Sequence, residues 1–508
     1  MNDLLPPDAL QLEAAGELLA EHLALRDHGV RETRRRFYDT FDGLLHQEGL
    51  SLVGELGRLS LVDQASGAER AVLTTAEPSA PFTADELEPG PLRDALGDVT
   101  EVRALLTVAE VDCRTRRIDL LDERDKTVAR VLLEEPALAS GKALRPRARL
   151  AGLRGYDEAL EQVRGLLQRE LGFTPATASL VDEAVLASGG LPGGRSAKIR
   201  VTLDPAQRAD SAATIVLRAL LEVIEANLDG TARDIDIEFL HDLRVSVRRS
   251  RTVLRQLKHV FPPSVLAGFA SEFRWLQRAT GDARDLDVYV LEFDSLRARA
   301  PESMRADLEP LLRSLRRRRT DAHREMGDAL GSRRAVNLLA DWGSFLEELV
   351  ELPDTDRSAA RTPIGELAGR RIAKVYEQMV KRGRAIDSSS PPDAYHELRK
   401  KGKELRYLLE LFGVPLFAKE AVTPMIKALK ALQDLLGRHQ DREIQIALLR
   451  GLSDEVSRAD GGGAALMAMG VLVERLRADE QAARTEFAAR FDAFSAKSQR
   501  KLVRETFV

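Results

Sequence analysis

Two segments, HDLRVSVRRSR from His241 and HELRKKGKELR from His396, share one arrangement. Each opens on a histidine and sets basic residues three, seven and ten positions later. These are Arg244, Arg248 and Arg251 in the first copy, and Arg399, Lys403 and Arg406 in the second. A helix turns by about 100° per residue, so such offsets fall on one narrow stripe. Arg255 and Lys258 extend the first stripe. Leu243, Val247, Val253, Leu254 and Leu257 fall largely elsewhere, as do Leu398, Leu405, Leu408 and Leu409 in the second copy. A solvated face normally mixes signs, because opposite charges four residues apart support a helix, whereas like charges cost roughly a few tenths of a kcal/mol per pair. The first stripe holds no acid, and the second gains Glu410 only at its far end. A costly stripe that occurs twice is best explained by a bound anion. Arginine suits phosphate through its planar, bidentate fork, and lysine acts as a point charge. A neutral histidine can hydrogen-bond a phosphate oxygen, although a lone histidine is more often a cap or packing residue. No carboxylate cluster or second histidine sits at ligand spacing beside either one, so no metal site is expected.

Each stripe is followed by a glycine with an aspartate four residues on: Gly281 and Asp285 in GDARD, Gly437 and Asp441 in GRHQD. Duplication of a helical half is the simplest account. Further cations could complete a site or merely cover surface. They are Arg274 and Arg278, then Lys427 and Lys430 on the corresponding helix of the second copy. Arg316 to Arg319 with His323 follow, and Arg370, Arg371, Lys374, Lys381 and Arg382 in GRRIAKVYEQMVKRGR. Asp282, Asp285 and Asp287 are expected to cap a helix and pair with arginines rather than hold a cation.

The elements that must position these residues follow from composition and periodicity. At 508 residues the chain should hold two or more domains. It is 44% apolar, 5% aromatic and 31% charged, which suits long helices with charged outer faces. A single cysteine, Cys113, rules out an internal disulfide framework. The N-terminus lacks the pattern of a signal peptide, and no run approaches 18 consecutive apolar residues, so a cytoplasmic protein without membrane spans is expected. The net charge of −5 argues against a general nucleic-acid coat, but leaves open a concentrated basic site. No phosphate-binding loop or dinucleotide fingerprint is present.

The glycine-rich stretch SGGLPGGRSA, 188–197, reads as a linker. Before it the pattern is mixed: a helix over 7–26, strands in ETRRRFYDT, LSLVGE, LSLVDQ and RAVLTT, an acidic Pro-rich insert at 77–92, more strands with turns at ERDK and ASGK, and a helix over 156–170. After it the pattern is all helix, over 205–228, 233–259, 264–300, 305–330, 333–350, 363–386, 391–413, 420–450 and 464–494. Breaks fall at FPP, ELPDTDRSAARTP, SSSPP and DGGG.

HDLRVSVRRSR with RATGDARDLDV, and HELRKKGKELRY with LQDLLGRHQD, resemble the CHAD family (conserved histidine α-helical domain) over about residues 200–500. The resemblance implies an all-α domain, 198–508, of two pseudo-symmetric four-helix bundles, with halves near 198–350 and 361–500. It further implies non-catalytic binding of inorganic polyphosphate in a basic groove. The expected binding residues are His241, Arg244, Arg248, Arg251, Arg255, Arg274, Arg278, His396, Arg399, Lys403, Arg406, Lys427, Lys430, Arg371 and Lys374. No cofactor is implied. Residues 1–187 resemble a CYTH (triphosphate-tunnel) domain through FYDTFDGLLHQEGLSL and VRALLTVAEVDCRTRRIDLLDERDKTVARVLLEE. The whole is then an α+β multidomain chain with a β-rich first domain. Working members of that family hold divalent metal on an E-x-E-x-K strand and further carboxylates. Here no such strand is found, and ALRPRARL stands where paired acids are expected. Arg35, Arg103, Arg114 and Arg116 are the basic candidates left in a degenerate domain. The alternatives are a metal-dependent triphosphatase or polyphosphatase in the first half, and a nucleic-acid or protein interaction domain. The basic faces carry no aromatic stacking platform, which counts against nucleic acid. Association with polyphosphate granules would accompany polyphosphate binding.

Overall fold

The computed structural model describes residues 3–7, 12–75, 78–153, 155–387 and 389–508. The start of the helix expected from residue 7, the first residue of the insert at 77–92 and the serine at 388 fall partly or wholly outside them. The chain divides into two compact units, Met1–Ser196 and Ala197–Val508.

The first unit is built on strands β1 (Asp3–Leu5), β2 (Leu25–Thr40), β3 (Leu50–Glu55), β4 (Arg58–Asp63), β5 (Glu69–Thr74), β6 (Leu105–Leu121), β7 (Thr127–Leu138), β8 (Arg147–Gly152) and β9 (Thr174–Pro175). They form one sheet in the order β5-β4-β3-β2-β6-β7-β8-β1-β9, with every described pairing antiparallel. In β3, alternate residues Leu50 and Leu52 are buried, the period-two pattern that LSLVGE announces. Helices α1 (Leu12–His22), α2 (Leu44–Gln47), α3 (Pro91–Thr100), α4 (Asp157–Leu171) and α5 (Leu180–Ala187) accompany the sheet. Helix α1 stops at His22 because β2 starts at Leu25, well inside the expected helix. Helix α3 emerges from the Pro-rich insert: Pro91 occupies its first turn, where no N–H is needed, and Leu92 and Leu96 are buried. The glycine-rich stretch is not a free tether. Arg195 donates its N–H to Phe41 O at 3.0 Å. Gly43 and Gly193, both at positive φ, meet so closely that a Cβ on Gly43 would lie 2.2 Å from the Gly193 carbonyl carbon.

The second unit is helical: α6 (Ala209–Ala232), α7 (Ile237–Gln256), α8 (Pro263–Ala279), α9 (Gly281–Leu291), α10 (Phe293–Arg297), α11 (Glu309–Leu330), α12 (Arg333–Glu348), α13 (Ile364–Arg384), α14 (Pro392–Leu408), α15 (Val414–Leu416), α16 (Lys419–Ser457), α17 (Gly462–Phe494) and α18 (Lys497–Phe507). Asp236 caps α7 by accepting from the N–H groups of Glu238 and Phe239. The two halves share one apolar core, which joins Leu243, Val247 and Trp342 to Leu398, Leu405 and Phe491. A second cluster forms where Leu311 and Leu315 of α11 meet Leu449 of α16 and Leu472 of α17.

The expected helix over 264–300 is broken at Thr280, whereas its counterpart α16 runs unbroken through Gly437 for 39 residues. A side chain explains the difference. Arg244 Nη1 donates to Gln277 O and Thr280 Oγ1, each at 2.8 Å. Gln277 O is the carbonyl that a continuous helix would offer to the Gly281 N–H. In the second copy Arg399 turns instead toward Asp441, 3.6 Å away. Lys258 also departs from the expected stripe, because α7 ends at Gln256 and Lys258 begins a separate single 3₁₀ turn.

Candidate functional site

Helices α7 and α14 lie against each other in opposite directions. Arg249 Nη2 donates to Glu410 Oε2 at 2.7 Å, just beyond the end of α14, and Gln256, the last residue of α7, donates to Glu404. The two basic stripes thereby face one groove. Arg244, Arg248, Arg251, Arg399, Lys403 and Arg406 are all half-buried along it. Helices α8 and α9 line it beside α7, and α16 lines it beside α14. A Cβ on Gly281 would lie 3.8 Å from Arg244 Nη1, and one on Gly437 would lie 4.0 Å from Arg399 Nη2. The matched glycines thus mark where each arginine crosses the neighbouring helix.

Crowded, partly desolvated like charges register in the proton affinities. Burial first, and then the charges of Arg399, Arg248 and Arg244, pull the Lys403 ammonium down to about 7. Burial, followed by Arg248, takes Arg244 to about 10. Arg251 is lowered by burial and then by Arg274, Arg255 and Arg248. Arg244 and Arg248 come from the first repeat and Lys403 from the second, so the repulsion spans both copies. The acids in the groove are few and strained in the opposite sense. Burial raises Asp285 against the pull of Arg244, and raises Asp441 against the pull of Arg399.

Not every expected residue stands as an open cation. Arg406 is held by Glu410 at 2.6 Å, and Arg255 lies 3.3 Å from the buried Glu404. Arg274 approaches Arg251 closely enough to depress it. Arg278 is exposed in the last turn of α8, three residues before Gly281. Lys427 and Lys430 are exposed on the α16 stripe that continues through Gly437 to Asp441. Counted back three from each glycine, the counterpart of Arg278 is Asp434, an acid within range of Arg406. Arg371 and Lys374 lie on α13 and make no hydrogen bond or ion pair to either stripe among the described residues. Within the Arg316–Arg319 run, Arg317 and Arg318 are tied to Glu455, and Arg319 to Asp234 and Asp287.

The two histidines occupy matched places. Arg284, three after Gly281, donates to His241 Nδ1 at 3.0 Å. Gln440, three after Gly437, meets His396 Nδ1. Sequence spacing missed the acids beside His241: ligand atoms of Glu238, His241 and Asp242 lie within 4.8 Å of one another. Two other groupings are as close, Asp234 with Asp287 and His323, and His439 with Glu443 and Glu480. In the first of these Arg319 already fills the space, 2.7 Å from Asp287 and 2.6 Å from Asp234.

The helical unit has a known counterpart. Residues 215–450 match the family model of the CHAD domain. This segment is a CHAD domain. Two curated proteins of Mycobacterium tuberculosis, the uncharacterized proteins MT2285 of strain CDC 1551 / Oshkosh and Rv2226 of strain H37Rv, are each 29% identical over 270 residues. The match takes in 51% of this chain and 50% of each relative, so the chain spans about half the length of the curated relatives it matches. The crystal structure of the CHAD domain from the plant Ricinus communis shares the fold. It superposes with a TM-score of 0.50 at 23% identity, covering 59% of this chain and 96% of that one. No described helix of the chain is long and apolar enough to cross a membrane.

In the first unit, the four basic candidates separate. Arg35 and Arg147 are buried on one face of the sheet, with Arg149 half-buried on the same face. Arg35 pairs with Glu55 at 3.3 Å and Glu134 at 3.0 Å. Arg147 pairs with Asp3 and Glu183, and Arg149 with Asp3 and Glu134. Burial would raise the Glu134 carboxyl, but Arg149 and Arg35 hold it at about 2. Arg114 belongs to the opposite face by strand alternation and is tied to Glu135. Arg116 pairs with Asp27, and Arg103 with Asp42.

Proposed function

We propose that the CHAD domain binds inorganic polyphosphate, without catalysis, along the groove between the α7 and α14 stripes. The half-buried group of Arg244, Arg248, Arg251 and Lys403 carries this reading. Its charges repel one another across the two repeats, and the acids that could neutralise them are engaged elsewhere or are themselves destabilised. A linear polyanion relieves that repulsion with a charge at every phosphate, and release of its counterions drives association. The two basic stripes themselves carry no aromatic residue on which bases could stack, which favours a chain of phosphates over a nucleic acid. Titration of the full chain with long-chain polyphosphate should give saturable binding that weakens steeply with salt. Displacement by DNA or RNA at equal phosphate concentration would overturn the choice of polyphosphate.

We infer that the first unit is a CYTH-like companion without triphosphatase activity. The arginines of that sheet face that might hold a triphosphate, Arg35, Arg147 and Arg149, are already neutralised by Asp3, Glu55, Glu134 and Glu183. Metal-assisted phosphoryl transfer needs oxygen ligands left over to hold the ion. Release of phosphate from tripolyphosphate with Mg²⁺ or Mn²⁺, lost on Arg149→Gln, would overturn this reading. Co-localisation with polyphosphate granules is the cellular corollary of the first proposal.

A further inference from the structure

The basic cluster of α13 leads to a second place in the helical unit. Lys381 and Arg384 border a cavity of about 490 Å³ between α13 and α18, whose other wall carries Arg500 and Arg504. Its floor is apolar, made by the buried Val380, Val503 and the ring of Tyr376. Burial raises the Tyr376 phenol to about 12 against the charges of Arg500 and Arg384, so both guanidinium groups lie near that ring.

Four cations therefore ring a pocket that contains one acid, Glu377. None of the four makes an ion pair among the described residues. A simpler origin accounts for only part of this. Cations in the last turn of a helix favour its dipole, which suits Lys381 and Arg384 at the end of α13. Arg500 opposes that preference, because it lies in the first turn of α18. Its Nε is also buried without a hydrogen-bond partner among the described residues, an arrangement that costs stability unless something else occupies the site. The volume falls within the range of small-molecule sites, which typically combine an apolar floor with a few convergent polar groups.

We propose that this cavity binds a small organic anion with an apolar body, its acidic group held by Arg384, Arg500 and Arg504 and its body lying on Val380 and Val503. The residues are distinct from those of the α7–α14 groove, so the site is independent of polyphosphate binding.

Anilinonaphthalene sulfonate, a fluorescent apolar anion, is a suitable probe for the full chain. Its fluorescence should rise saturably with one equivalent bound. Arg384→Gln/Arg504→Gln, both exposed positions that leave the core intact, should weaken binding at least tenfold, and Arg500→Gln should do so separately. Polyphosphate affinity should be unchanged in these variants, and dye affinity unchanged in Arg248→Glu/Lys403→Glu. Absence of saturable dye binding, or binding undiminished in both sets of variants, would overturn the site. Loss of polyphosphate affinity in Arg384→Gln/Arg504→Gln would instead make the pocket part of the polyphosphate surface and overturn its independence.

Discussion

Arg284 donates from Nη2 to His241 Nδ1 at 3.0 Å. A guanidinium can only donate, so that nitrogen accepts and the ring proton sits on Nε2. A second bond, from Arg284 Nη1 to Ile237 O at 3.0 Å, fixes the arginine to the start of α7. The second repeat has Gln440 in this role, and an amide can donate or accept. The repeats are thus alike in shape but not in chemistry: the tautomer is dictated at His241 and left open at His396.

If His241 offers its Nε2–H to a phosphate, His241→Gln and Arg284→Met should each weaken polyphosphate binding by roughly two- to tenfold, the range of one hydrogen bond. Nitrogen NMR of the free protein should show the Nε2-protonated ring in the natural sequence and a mixture in Arg284→Met. Full affinity in both variants would remove His241 from the site.

Lys403 makes binding depend on pH. Its ammonium titrates near 7 in the free protein, against an ordinary 10.5. A bound polyanion favours the charged form, so binding takes up a proton. Affinity should be greatest below pH 7 and fall as pH rises through that value, approaching about tenfold per unit. Stability of the free protein runs the other way. Between about 7 and 10.5 the unfolded chain holds the extra proton, so the folded state gains stability as pH rises through that window. Lys403→Gln should flatten both profiles. Calorimetric titration at a series of pH values checks the first, and urea unfolding checks the second.

Much of this groove was legible because helical periodicity is local. The offsets within HDLRVSVRRSR and HELRKKGKELR place the cations on one face without knowledge of the fold. The matched glycines were read only as a sign of duplication; that Arg244 and Arg399 approach them is visible in the structure alone. What the sequence hides is non-local. Glu404, on α14, neutralises Arg255 on α7, and Glu410 clasps Arg249 of the other repeat. The break at Thr280 depends on a side chain 36 residues away. In the first unit the strands were readable from alternation, but Asp3 and Glu183, which quench Arg147, lie outside any motif. The pocket cations Arg500 and Arg504 belong to α18, a helix that short amphipathic spacing alone did not reveal.

The buried network of the first unit should govern its acid stability. Glu134 is held at about 2, below the ordinary 4.5, by Arg149 and Arg35 against the effect of burial. A depressed carboxyl contributes stability that is fully present above pH 4.5 and is lost as pH falls toward 2. Glu134→Gln leaves Arg35 and Arg149 short of a buried partner, and should destabilise the unit by about 3–5 kcal/mol at neutral pH. The variant should also lose part of its acid sensitivity. Thermal unfolding from pH 7 down to pH 3 tests both effects, and a neutral-pH melting temperature equal to that of the natural sequence would contradict the first.

The central claim is that like charges from both repeats form one polyanion site. Its most direct test is the affinity of the full chain for long-chain polyphosphate across a salt series, beside Arg248→Glu/Lys403→Glu. The natural sequence should bind with an affinity that falls steeply and linearly in log–log form. The double variant should lose at least roughly a hundredfold in affinity, with a slope shallower by about one for each lost contact. An unchanged affinity and an unchanged slope in the double variant would contradict the account.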